Sequence, residues 1–191
     1  AAIPGVSDVQ TRIVKDVQID VPGLNEPATA RLVSVPRAHQ PTLNRLYLRR
    51  GRYLAPGGAD EVLVNEAFAR ANGLTVGSGF GAVINGRWQS LRVVGTALAP
   101  EYVYAVRPGE VFPDDRRFGI VWMGEDALAA AFNMTGAFND VALAVDRDAV
   151  MPEILAQRLE HVVLRLPLGG REVMAADVVG RHPAVLPQDA H

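Results

Sequence analysis

The sequence predicts an α+β fold: a discontinuous mixed α/β base with a smaller β-rich unit inserted into it. Three observations point there. Two extended, alternating segments open the chain as a strand pair. After the breaker Ala55-Pro56-Gly57-Gly58 comes a self-contained run of strand, short helix, glycine stop and hairpin. Beyond residue 135 the pattern returns to strand, helix and strand. On this reading residues 1–54 and 136–191 are two halves of one unit, and residues 55–135 are the insertion.

The elements follow in order. Residues 3–22 are one long extended segment, with Val9, Ile13, Val17, Ile19 and Val21 on odd positions among polar neighbours. That period suits a strand with one covered face. Pro22-Gly23 and Asn25-Glu26-Pro27 turn the chain, and residues 29–36 return as an antiparallel partner. Residues 39–52 read as a polar, arginine-rich link. Residues 61–64 form a short strand, with Asn65 as N-cap and Glu66 in the first turn of a helix. Ala67, Phe68 and Ala71 give that helix its apolar side, and Gly73 supplies the left-handed residue that ends it. Asn85-Gly86, between apolar runs at 80–84 and 87–94, specifies a two-residue hairpin turn.

An aromatic-rich extended arm follows, then an irregular loop at 107–117. A strand is expected at 118–123 and a helix at 125–132. The almost wholly apolar run 139–146 fits a strand covered on both faces. Pro152 opens a further helix whose stripe is Ile154, Leu155, Leu159 and Val162. Residues 171–179 supply a last strand, and a proline-rich tail closes the chain.

Composition narrows the function. Across 191 residues, 49% are hydrophobic and 21% charged, which is globular. A net charge of −2 provides no basic field for nucleic acid or anionic lipid. With no cysteine, thiolate chemistry and disulfides are excluded. No apolar run approaches the about 20 residues needed to cross a bilayer. The start, Ala1-Ala2-Ile3-Pro4, reads as the end of a helix leading into a strand, as in a piece of a longer protein.

A search for chemistry yields no catalytic set, no cofactor site and no metal site. Gly77-Ser78-Gly79 lacks the outer glycines of a nucleophile elbow, because Val76 and Phe80 stand there. The same segment precedes a strand, which also rules out a dinucleotide fingerprint. His39, His161, His182 and His191 are scattered without ligand spacing. Glu101, Glu110, Asp114 and Asp115 are close in sequence, but Arg107, Arg116 and Arg117 beside them favour a solvated, salt-bridged loop. The remaining candidate is a partner or substrate surface on the arm: Glu101, Tyr102, Tyr104 and Phe112, since amphipathic aromatics favour interfaces. Those aromatics could equally pack on the inserted unit's own sheet.

Residues 49–54 (Arg-Arg-Gly-Arg-Tyr-Leu) and 61–77 (Glu-Val-Leu-Val-Asn-Glu-Ala-Phe-Ala-Arg-Ala-Asn-Gly-Leu-Thr-Val-Gly) carry a likeness, as do 85–104 and 113–119. Together they resemble the MacB-like periplasmic domain of FtsX-type ABC transporter permeases. The pattern departs at Ser78, where an acid is common. The resemblance implies an extracytoplasmic domain set between two membrane spans of an inner-membrane permease. It implies that 1–54 with 136–191 is a membrane-proximal, porter-like subdomain and 55–135 a sabre-like one. It implies a non-catalytic domain that holds no cofactor, ATP being bound by a separate ATPase subunit or domain. The partners implied are the transmembrane part of the same permease, the ABC ATPase indirectly, and a second permease copy or a periplasmic protein. A stand-alone secreted or periplasmic binding module is the rival expectation.

Overall fold

A computed structural model describes residues 5–145 and the strand 173–181. The helix expected at 152–162, with His161, and the tail with His182 and His191 lie outside the described residues.

Among the described residues, ten strands form two sheets, accompanied by two α-helices. In chain order they are β1 (Val6–Arg12), β2 (Val14–Asp20), β3 (Ala28–Val35), β4 (Tyr47–Gly51), β5 (Glu61–Asn65), α1 (Glu66–Ala71), β6 (Gly79–Ile84) and β7 (Arg87–Leu98). A single 3-10 turn at Pro100–Tyr102 precedes β8 (Phe118–Gly124), α2 (Glu125–Phe132), β9 (Ala137–Val145) and β10 (Val173–Arg181). The large sheet has the order β4-β7-β5-β8-β3-β2-β6, and the small one β1-β9-β10.

The large sheet closes on itself. Arg92 in β7 is paired with Glu61 of β5 on one side and Gly79 of β6 on the other. Six strands (β7, β5, β8, β3, β2, β6) therefore make a complete ring, and β4 continues the line of β6 along β7. Hydrophobic patterning explains why the middle strands can sit here. Ala30 and Leu32 of β3, Val62 and Val64 of β5, and Val121 and Met123 of β8 enter one core with Phe68 of α1 and Leu128 of α2. The alternate residues Val33, Val35, Leu63, Phe118, Ile120 and Trp122 enter a second core on the opposite face. Strands covered on both sides need continuous apolar runs, and these have them.

Several expectations hold. β2 and β3 are an antiparallel pair. Asn85 and Gly86 take φ of 49° and 75° in the tight turn between β6 and β7. Gly73 ends α1 at φ 66°.

Others are corrected. The long first segment is two strands, because the chain changes sheet at Ile13; Val9, which belongs to the small sheet, is exposed while Ile13, Val17 and Ile19 are buried. The polar link 39–52 contains β4, an edge strand that β7 can accept because Gly95 has no side chain. A Cβ there would lie 2.8 Å from the carbonyl oxygens of Arg50 and Arg52. The arm is not extended but turns through the 3-10 segment at its start. Asn65 stands at the N-cap of α1 yet makes no side-chain cap bond. Its Oδ1 instead accepts the Ile120 N–H at 2.8 Å, since it is also the last buried residue of β5.

The expected cut at residue 55 runs through the large sheet. β2, β3 and β4 lie before it and β5 to β8 after it, all hydrogen-bonded into one sheet. What separates from that ring is the small sheet, built from residues 6–12, 137–145 and 173–181. The fold is sheet-rich, with α1 and α2 its only α-helices among the described residues.

Candidate functional site: a charged joint and an apolar loop

Where the chain passes from the small sheet to the large one, polar groups converge. Ile13 exchanges two bonds with Ser34 of β3: its N–H donates to Ser34 Oγ at 2.8 Å, and its carbonyl accepts the Ser34 N–H at 2.9 Å. Asn139 of β9 clasps Val14 in the same way, accepting its N–H at 2.8 Å and donating to its carbonyl at 2.7 Å. Both contacts satisfy backbone groups that a strand changing sheets would leave unpaired.

Arg12, one residue earlier, is only 4% exposed. Its Nε donates to Asp140 Oδ1 at 2.6 Å, within the small sheet where the two residues are in register. Its Nη1 reaches both oxygens of Glu101 at 2.8 Å, on the arm that leaves the large sheet. Asn44 Nδ2 also donates to Glu101, bringing in the segment before β4. Burial alone would lower the Arg12 pKa, but the charges of Glu101 and Asp140 overcome it and raise the value. The guanidinium is thus a fixed cation spanning two sheets, a role its five-donor fork suits better than an ammonium.

The four arm residues singled out from sequence divide. Glu101 is committed to Arg12. Tyr102 is half-buried, its ring edge-on to Trp122 at 6.3 Å and 62°, and burial raises its hydroxyl pKa. These two fix the root of the arm. Tyr104 and Phe112 lie beyond it, 78% and 79% exposed, with Val103 and Val111 equally open. An arm pinned at its base therefore presents four large apolar side chains between residues 103 and 112. The acids nearby do not cluster. Glu110 pairs with Arg107 at 3.8 Å, and Asp114 Oδ1 accepts the N–H groups of Arg116 and Arg117. Among the described residues, no group of three or more His, Asp or Glu could hold a metal ion.

A second charged cluster fastens the glycine-rich loop before β5. Glu61 is 3% exposed; it takes Arg52 Nη2 at 2.5 Å and Nη1 at 2.9 Å, Arg92 Nη2 at 3.1 Å and the Ala55 N–H at 2.9 Å. Arg37 closes the other side of the loop through the carbonyls of Ala55 and Gly58 and through Asp126 of α2 at 2.5 Å. The Arg52 fork, above all, holds the Glu61 carboxyl down at about 2 from an ordinary 4.5; burial opposes the shift, and the Ala55 N–H assists it. A depressed folded pKa means stability that is complete above the ordinary value and is lost as pH falls through about 2. Acid unfolding monitored from pH 5 downward is expected to show this slope, and Glu61→Gln should flatten it. An unchanged slope would remove Glu61 as its source.

Sequence reasoning missed Arg12, because an arginine on the even side of an alternating run reads as solvated. Its partner Asp140 is 128 residues away, so no local pattern signals the pair.

The fold and the joint define a class: a two-sheet domain whose smaller sheet is tied by buried charge to a larger closed sheet bearing an apolar loop. No family model matches the chain, and neither does any curated protein. Three solved structures are similar to it. One is the extracellular domain of the noncanonic ABC-type transporter YknZ from Gram-positive bacteria, at 14% identity over 77% of this chain and 69% of that one, with a TM-score of 0.49. Another is the periplasmic region of MacB from Actinobacillus actinomycetemcomitans, at 13% identity over 78% and 62% of the two chains, TM-score 0.41. A third is a domain from Porphyromonas gingivalis described as part of a permease, at 14% identity over 96% and 78%, TM-score 0.45.

Proposed function

We propose that this chain is a non-enzymatic, extracytoplasmic domain of an ABC transporter permease in the cell membrane. Its role is to couple ATP-driven motion to a substrate or partner outside the membrane. ATP is bound by a separate ATPase subunit or domain. The small sheet is the membrane-proximal side, and the exposed loop 103–112 is where a periplasmic partner, a second permease copy or a substrate is met.

The observation that supports this is how the residues of the sequence resemblance meet in space. Arg52 locks on Glu61, and Asn65 holds the Ile120 N–H. Asn72 Nδ2 reaches the carbonyls of Asp115 at 3.4 Å and Arg116 at 3.3 Å, joining segment 61–77 to segment 113–119. The shared pattern thus encodes one interlocked scaffold rather than a reaction, as expected of a domain that transmits force. No helix among the described residues is long and apolar enough to cross a membrane.

The loop is testable in the intact permease. Replacing both Tyr104 and Phe112 by Ala is expected to lower transport at least about fivefold, the effect of losing interface anchors. Thermal stability should not change, because both side chains stand in water. Transport equal to that of the parent protein would reject the loop as a contact surface. Tyr102→Ala is a poorer test, since its ring belongs to the second core.

A further inference from the structure

The outer face of β2, β6 and β7 carries an aromatic platform that the coupling role does not use. Trp88 is 61% exposed although it is paired with Val83 within the β6–β7 hairpin. Its indole lies over Gly81 of the neighbouring strand. A Cβ at Gly81 would fall 1.9 Å from Trp88 Cη2 and 2.0 Å from Cζ2, so glycine is what allows the ring to seat there. Covering a glycine in a sheet is a known stabilising use of an aromatic, and it accounts for the side of the indole turned to the sheet. It does not account for the remainder, which stands in water.

The residues around that ring are in register with it. Gln18, Val83 and Trp88 form one row across three strands; Asp20, Gly81 and Ser90 form the next. Adjacent strands are spaced by about 4.8 Å, so each row offers groups at sugar-ring intervals. Gln18, Asp20 and Ser90 are exposed, and among the described residues their side chains make no hydrogen bond or ion pair. By contrast Asp16 of β2 is engaged with Arg31, and Asp60, just before β5, with Arg92. On this face the exposed indole of Trp88 is bordered by uncommitted donors and acceptors.

We propose that this face binds a neutral pyranose oligosaccharide, stacked on Trp88 and hydrogen-bonded through its rim hydroxyls to Asp20, Gln18 and Ser90. A pyranose has an apolar face of C–H groups, which suits the negative face of an indole, and a polar rim. An extended peptide is disfavoured because β6 is hydrogen-bonded on both sides, to β2 and to β7, and offers no free edge. An anionic ligand is disfavoured by Asp20. The inference stands on this geometry alone and does not depend on the transporter reading.

The test is titration of the 191-residue chain with an N-acetylglucosamine trimer and with cellotriose, followed by tryptophan emission and by amide shifts. The chain has two tryptophans, and Trp122 is buried, so an emission change reports Trp88. Saturable binding at millimolar concentration is expected for at least one sugar. Trp88→Ala should weaken it on the order of tenfold or more, with the near-ultraviolet signal of Trp122 unchanged as the sign that the fold is kept. Gly81→Ala, which keeps the indole but unseats it, should act in the same direction. Absence of emission and amide changes with both sugars would overturn the proposal, as would binding that Trp88→Ala leaves intact.

Discussion

Replacing Arg12 by Met is expected to destabilise the protein by about 3–5 kcal/mol, the cost of removing one partner from a buried ion pair. The methionine fills much of the arginine's volume, so the loss isolates the charge. Glu101 and Asp140 would be left facing an apolar side chain in a region water scarcely reaches. Glu101→Gln keeps its size and one acceptor oxygen toward Arg12, and should cost less. Urea unfolding gives both values, and a double-mutant cycle gives the coupling. The joint makes a further demand. Arg12→Met should raise amide exchange in β1 and β9 more than in β5 and β8, because the small sheet is held to the ring through this residue. Equal protection in both sheets would show that Arg12 stabilises without joining.

The second large effect is at Gly119. A Cβ there would lie 2.6 Å from Phe68 Cγ, and Phe68 is completely buried between α1 and β8. Gly119→Val must push the ring off its seat, and overpacking of this kind costs about 1–3 kcal/mol, occasionally more. Phe68→Ala leaves a cavity instead, at about 3–5 kcal/mol. The two should not add. Combining Gly119→Val with Phe68→Leu gives the new methyl groups room, so the double variant is expected to be more stable than the sum of its parts. Additive losses by denaturant unfolding would mean that Gly119 matters for some reason other than the packing of Phe68.

Such features differ in how far the sequence discloses them. The turn at Asn85-Gly86, the stop at Gly73 and the apolar strands β5 and β8 are legible because local conformation and two-sided burial leave composition signals. The change of sheet at Ile13 is not, since no glycine or proline marks it and both strands share one alternating period. β4 is hidden for a related reason. Its residues Tyr47, Arg49 and Arg50 face water at an edge, and only the absence of a side chain at Gly95 reveals that a strand fits beside β7. The Pro-Gly-Gly breaker near residue 55 has the composition of a boundary between units. Here it is a loop fastened by Glu61 and Arg37 within one sheet. At the arm, aromatic composition pointed to a surface, but only packing separates Tyr102, held against Trp122, from Tyr104, which is free of the core.

The extracytoplasmic placement is the central claim, and one thiol tests it. The chain contains no cysteine, so Tyr104→Cys puts a single exposed thiol in this domain. In intact cells carrying the full-length protein, a charged, membrane-impermeant maleimide is expected to label that thiol, with the parent protein as background. Labelling that appears only after the cell membrane is permeabilised would place the domain in the cytoplasm and contradict the account.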